Sequence, residues 1–194
     1  MVSDEQIKNA DKTAVNAFEA TKRIYDLAFI AWDKMSVDIG EQLDLKISRA
    51  WGRVNASFIN QYGSLTEAEV QILRRYVYTT FSQTKARQLE DDVVPFILFS
   101  VATRRFEQPR LIYGVLRKVN WGQSEAIEMD PFMYEISENR TQKPLEVRGV
   151  TTSSKRGTAE VDFGYFPLFA ITDNTVGDIT SEIVKWFNER LPQV

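Results

Sequence analysis

Residues 7–39 carry a stripe of apolar side chains at helical spacing, and this stripe restricts the possible folds more than any other stretch. An amphipathic helix buries its apolar face against another element, so the stripe predicts a long helix packed on a neighbour. Its members recur at steps of three or four residues, or at sums of such steps: Ile7, Ala14, Phe18, Tyr25, Ala28, Trp32, Met35 and Ile39.

The stripe is wider than a single helix contact requires. Ile24, Leu27 and Ala31 lie beside it and extend the apolar surface. A face of this width predicts that part of the helix docks a second copy or another protein. The candidate partner-facing residues are Phe18, Tyr25 and Trp32.

Two further helices are predicted before residue 90. Gly40 predicts a break or bend within 35–42, and residues 43–59 then carry apolar side chains on one helical side. Thr66 and Glu69 form a capping box that begins a third helix, which runs to about Thr84. Short connections between the helices predict an N-terminal bundle or hairpin of two or three helices.

From about residue 93 the pattern changes to short runs rich in aromatic and β-branched residues, which are typical of strands. The run 93–102 also fits a buried helix. The hairpin signal is strongest at SSKRG, and residues 177–191 predict a capped amphipathic helix that covers one sheet face. The strand-like runs are 93–101, 109–119, 126–136, 144–152 and 158–172.

These patterns predict an α+β fold. A helical region at 1–90 precedes a mainly antiparallel sheet of four or five strands at 91–194, which the C-terminal helix closes. The two regions are either separate or one continuous domain. No residue pattern is specific enough to indicate a family.

The sequence contains neither histidine nor cysteine. Disulfides, thiolate nucleophiles, histidine metal ligands and Ser-His-Asp chemistry are therefore excluded. We identify no catalytic, cofactor-binding or metal-binding residue, because no glycine-rich nucleotide loop or hydrolase motif is present. A carboxylate-based enzyme without histidine is one alternative, with Glu160 and Asp162 on one strand face as an example of an acidic pair.

A basic segment at 102–122 raises a second alternative, a nucleic-acid or other anion-binding module. We also predict that residues 110–119 and 126–136 form a hairpin. In this hairpin Arg117 and Lys118 lie opposite or diagonal to Glu125 and Glu128, which neutralise part of the positive charge. The candidate anion-binding residues are Arg104, Arg105, Arg110, Arg117 and Lys118.

The leading prediction is a non-enzymatic protein–protein interaction or assembly subunit, with a protein partner or self-association. A net charge of −3 argues against a surface devoted wholly to nucleic acid. The first residues lack the pattern of a secretory signal, and the run 93–102 is about half of the ~20 residues that a membrane helix needs. We therefore expect a cytoplasmic protein without membrane insertion.

Overall fold

The chain combines three helices with one antiparallel sheet among its described residues, an α+β arrangement that confirms the predicted fold class. The computed structural model describes residues 4–51, 76–90, 92–100, 109–120, 129–137, 147–154 and 157–191. In chain order the elements are α1 (Asp4–Leu43), β1 (Lys46–Trp51), β2 (Tyr76–Ser82), β3 (Val94–Ser100), β4 (Arg110–Asn120), α2 (Asp130–Ser137), β5 (Val147–Ser154), β6 (Gly157–Pro167), a 3-10 turn (Leu168–Ala170) and α3 (Val176–Arg190).

The six described strands form one antiparallel sheet in the order β1-β2-β3-β4-β6-β5. The first four strands follow one another as a meander, and β6 is inserted between β4 and β5. The hairpin predicted at SSKRG is confirmed, since Ser154 of β5 pairs with Gly157 of β6. The sheet has more strands than predicted because β1 and β2 come from the region predicted as helical.

Both faces of the sheet are covered. On one face, α1 and α3 pack over side chains such as Phe81, Ile97 and Tyr113. On the other face, α2 packs over side chains such as Phe96 and Phe163. Residues of opposite parity along β3 and β4 therefore enter two different cores, which explains why these two strands are apolar on both sides.

Helix α1 continues through the predicted break. The missing side chain of Gly40 leaves room for β1, because a Cβ there would lie 2.6 Å from Cγ2 of Ile47. The helix ends instead at Leu43, and the following residue, Asp44, has a left-handed φ of 51°. The amide of Leu45 then donates to the carbonyl of Gly40 at 2.8 Å, and that of Asp44 to the carbonyl of Glu41 at 3.2 Å. This pairing is a Schellman closure.

The second and third predicted helices are wrong wherever the structure describes them, because those residues form β1 and β2. A four-residue step such as Val77 to Phe81 places both side chains on one side of a strand as well as of a helix. Both face the α1 and α3 layer here. The tyrosines and threonines of β2 favour the strand. The capping box at Thr66 and Glu69 lies outside the described residues.

The predicted hairpin between 110–119 and 126–136 is also wrong. Residues 130–137 form α2, and β4 pairs with β3 and β6. Pro131 is compatible with the first turn of a helix but removes a hydrogen bond from a strand. Among the α2 side chains that the structure describes, the buried ones are Phe132, Met133, Ile136 and Ser137.

The remaining local predictions are confirmed in part or in full. Residues 94–100 are a strand, β3, and not the alternative helix. The C-terminal helix forms with Ile179, Ile183, Trp186 and Phe187 buried, as its stripe predicts. The division at residue 90 stays a prediction, although β1 and β2 belong to the same sheet as the later strands.

Candidate functional site

An apolar groove of about 350 Å³ lies beside α1. Leu27, Ala28 and Ala31 of the helix form one wall. The other wall is built from the segment after β6 and from the residue that precedes β4: Leu168, Phe169, Ile171 and Pro109.

The second wall is held in place by backbone hydrogen bonds. Pro167 ends β6 in an extended conformation, with φ −65° and ψ 141°. The amide of Leu168 donates to the carbonyl of Pro109 at 2.9 Å, and that of Ile171 donates to the carbonyl of Leu168 at 3.0 Å. These bonds fix the 3-10 turn against the start of β4. The backbone that carries Phe169 is therefore already ordered.

The groove carries large apolar side chains that face solvent. Phe169 is 74% exposed and Leu27 is 65% exposed, while the neighbouring Ile30 on α1 is 66% exposed. One exposed apolar residue is ordinary, but several grouped around a concave surface are typical of an interaction site.

The chemistry of the groove is that of apolar contact. All seven described lining residues are apolar, so the lining side chains supply no acid, base or metal ligand. Small-molecule sites usually add a few placed polar groups that orient the ligand. A lining of this kind favours an apolar ligand.

The predicted partner-facing residues all belong to α1. Trp32 is 4% exposed and lies in the core beneath α1, with Arg49 over its ring at 6.0 Å. The side chains of Phe18 and Tyr25 lie outside the description. The α1 residues that line the groove are Ala28, which belongs to the stripe, and Leu27 and Ala31, which the sequence places beside it.

The described anion-binding candidates lie on β4, with Arg110 at its start and Arg117 and Lys118 near its end. Arg110 is 4% exposed, lies 5.3 Å above the ring of Tyr165 and donates to the carbonyl of Ser137 at 3.4 Å. Burial raises the pKa of Tyr165, and the charge of Arg110 opposes that shift. Arg104 and Arg105 lie outside the described residues.

Arg117 and Lys118 donate hydrogen bonds to residues that are distant in the sequence. Arg117 donates from Nη2 to the carbonyl of Arg190, at the end of α3. Lys118 has φ 51° at the register shift between β4 and β6, and its Nζ donates to Oε1 of Glu160 at 2.9 Å. The predicted partners Glu125 and Glu128 lie outside the described residues. The anion-binding role stays a prediction.

The acidic pair on β6 is divided between two cations. Glu160 pairs with Lys118, while Asp162 pairs with Arg190 at 3.2 Å. Within the described ranges, no group of three or more acidic, histidine or cysteine side chains is arranged to hold a metal ion. None of the described helices combines the length and the hydropathy that crossing a bilayer requires.

Sequence reasoning missed the second wall of the groove. The sequence predicts a strand over the whole of 158–172, whereas β6 ends at Pro167 and Phe169 is exposed. The proline was the available signal, because it cannot donate a hydrogen bond within a central strand.

Comparison of the chain with protein families, with curated proteins and with solved structures found no significant match.

Proposed function

We propose that this chain is a non-enzymatic protein–protein interaction or assembly subunit that binds a protein partner through the groove beside α1. The observation that carries the proposal is Phe169, 74% exposed at the rim of a groove whose lining is apolar. The cytoplasmic location expected from the sequence stays a prediction.

The energetics favour a protein ligand. Covering a phenylalanine or leucine side chain contributes about 1.5–3 kcal/mol each, so Phe169 and Leu27 together supply a substantial contact. Because the hydrogen bonds of Leu168 and Ile171 already fix the turn, little backbone ordering is needed when a partner binds. Aromatic anchors next to concave surfaces are common among the residues that dominate binding energy.

The test places a photoreactive benzoylphenylalanine at position 169 in cells that naturally contain the protein. After irradiation, mass spectrometry identifies the cross-linked peptides. We expect cross-links to a single protein species and a loss of about tenfold when Leu27→Glu is added, since charge in an apolar contact is costly.

A matched control carries the same photoreactive group at Lys185, an exposed position on α3. Cross-linking from position 169 that does not exceed that from position 185 contradicts the proposal. Cross-linking that Leu27→Glu leaves unchanged contradicts it as well, because the contact would then not involve the groove.

A further inference from the structure

Two buried hydroxyl groups on the sheet face beneath α2 have no hydrogen-bond partner among the described residues. They are Oγ of Ser100, a residue that is 2% exposed, and the phenolic oxygen of Tyr165, which is 8% exposed. A buried hydroxyl without a partner destabilises a fold, and in native structures a bound water or ion often satisfies such a group. Both hydroxyls therefore call for a polar species bound beside them.

Both hydroxyl-bearing residues adjoin Arg110. Ser100 of β3 and Arg110 of β4 are direct partners in the antiparallel register, so their side chains share one sheet face, with Cβ atoms about 5 Å apart. On the other side of β4, the ring centre of Tyr165 lies 5.3 Å from the guanidinium carbon of Arg110. Burial raises the pKa of Tyr165 and the charge of Arg110 lowers it, so this charge acts on the Tyr165 hydroxyl. The two hydroxyl-bearing residues therefore flank one guanidinium, from the strands on either side of β4.

We infer that Arg110, Ser100 and Tyr165 form a buried binding site for a small oxyanion, either inorganic phosphate or a small carboxylic acid. A guanidinium offers N–H donors in a planar fork that matches the oxygens of such an anion, and each hydroxyl can donate one further hydrogen bond. Arg110 is 4% exposed, and attraction between opposite charges is strong where water is excluded.

The arginine is positioned by protein contacts and does not depend on the ligand for its place. Its Nη2 donates to the carbonyl of Ser137 at 3.4 Å, at the end of α2, and its guanidinium lies over the Tyr165 ring. A group that is already fixed loses little freedom when an anion binds. The burial of all three site residues favours a small free anion over a charged group on the surface of a macromolecule.

An ordered water is the alternative occupant of the same place. Arginine can only donate hydrogen bonds, and both hydroxyls are able to donate as well. A water molecule has fewer acceptor sites than an oxyanion, and it carries no charge to balance that of Arg110. Donors that converge from three side chains therefore favour the anion.

The site is separate from the groove beside α1. Ser100, Arg110 and Tyr165 lie on the sheet face that α2 covers, whereas the groove adjoins the core on the α1 and α3 face. The inference therefore goes beyond the proposed function, and the two can fail independently.

The test is isothermal titration calorimetry of the full chain with phosphate and with acetate, at constant ionic strength maintained with chloride. We expect a single site per chain, and the probe that binds more tightly shows which of the two anion classes the site prefers. Ser100→Ala and Tyr165→Phe each remove one donor with little change in shape, so each is expected to weaken binding about tenfold. Tyr113→Phe is the matched control, because it makes the same change on the opposite face of β4, and it leaves binding unchanged.

Thermal denaturation of the same variants gives a second readout. Without an oxyanion, Tyr165→Phe should match or exceed the natural chain in melting temperature, because it removes an unsatisfied buried hydroxyl. The better-binding anion should then raise the melting temperature of the natural chain more than that of Tyr165→Phe, since ligand binding stabilises the folded state in proportion to affinity.

Three results overturn the inference. The first is an absence of binding by both phosphate and acetate at millimolar concentration. The second is binding that Ser100→Ala and Tyr165→Phe both leave unchanged, because the anion would then lie elsewhere. The third is a crystal structure, obtained with the better-binding anion, in which only water contacts the two hydroxyls. Cross-linking from position 169 tests the proposed function separately, whichever result is obtained.

Discussion

Arg190 of α3 and Asp162 of β6 form a shielded ion pair, with 3.2 Å between Nε and Oδ2 and with side chains that are 9% and 17% exposed. The guanidinium also lies 4.2 Å over the ring of Trp186, and Arg117 donates to the carbonyl of Arg190. Burial lowers the pKa of Arg190; Tyr113 opposes the shift and Arg117 adds to it. The pair joins the end of α3 to the sheet.

Removing one member of this pair is expected to destabilise the fold more than removing both. Asp162→Ala removes the shielded carboxylate of Arg190 and leaves the contact with the exposed Glu189, 3.3 Å from Nη1, so it should lower the free energy of unfolding by about 3 kcal/mol. The double variant Asp162→Leu with Arg190→Met should recover at least half of that loss. Urea denaturation measures all variants, and a double variant less stable than Asp162→Ala would contradict the expectation.

Tyr113 is expected to make stability depend on alkaline pH. Burial, assisted by Glu182 and opposed by Arg190, raises the pKa of Tyr113 from 10.0 to about 12. The unfolded chain therefore loses this proton first, so the stabilisation is complete below pH 10 and is lost as the pH rises towards 12.

Between about pH 10 and about pH 12, the titration of Tyr113 is expected to reduce the free energy of unfolding by about 2–3 kcal/mol. The variant Tyr113→Phe isolates it, because the other tyrosines and lysines titrate in both proteins. Urea denaturation from about pH 9 to about pH 11.5 should give a steeper loss of stability for the natural chain. Equal slopes would exclude the shift.

Two glycines should respond to alanine in opposite directions. A Cβ on Gly114 would lie 2.6 Å from the carbonyl oxygen of Asp162 and 2.8 Å from Cζ of Phe96. Gly114→Ala should therefore lower the free energy of unfolding by about 1–3 kcal/mol, as measured by thermal or urea denaturation. Gly177→Ala is the matched control: nothing lies within 4 Å of its Cβ position, and alanine should stabilise α3 by about 0.5 kcal/mol. A neutral Gly114→Ala would indicate that β4 and β6 separate easily.

A buried hydroxyl pair between α1 and β2 offers a further test. Ser36 Oγ and Thr79 Oγ1 are 2.7 Å apart, and both residues are fully buried. Ser36→Ala removes the hydrogen-bond partner of Thr79 and should lower the free energy of unfolding by about 1–3 kcal/mol. Adding Thr79→Val removes the hydroxyl that is left unsatisfied, and it should restore part of the lost stability. Ser181→Ala, at an exposed hydroxyl on α3, should change stability by less than about 0.5 kcal/mol.

The elements that the sequence predicted well are those whose apolar pattern fits one period only. The stripe from Ile179 to Phe187 fits a helix and not a strand, and it forms α3. Val77 and Phe81 fit both periods, so their spacing alone does not distinguish a strand from a helix. Likewise, the continuation of α1 through Gly40 depends on the close approach of Ile47, a tertiary contact that local propensity does not contain.

The same distinction applies to the candidate sites. One wall of the groove was visible in the sequence, because Leu27 and Ala31 widen the first stripe. The other wall depends on the hydrogen bond between Leu168 and Pro109, residues far apart in the chain. The partner of Lys118 is Glu160, at a sequence separation of 42 residues, which local charge patterns did not reveal.

The insertion of β6 between β4 and β5 has a consequence for biosynthesis. A nascent chain that ends before Gly157 has no strand to occupy that side of β4, and it also lacks α3, which shares a core with α1. The growing polypeptide therefore exposes the apolar stripe of α1 until β6 and α3 have been synthesised, and the sheet can close only after that.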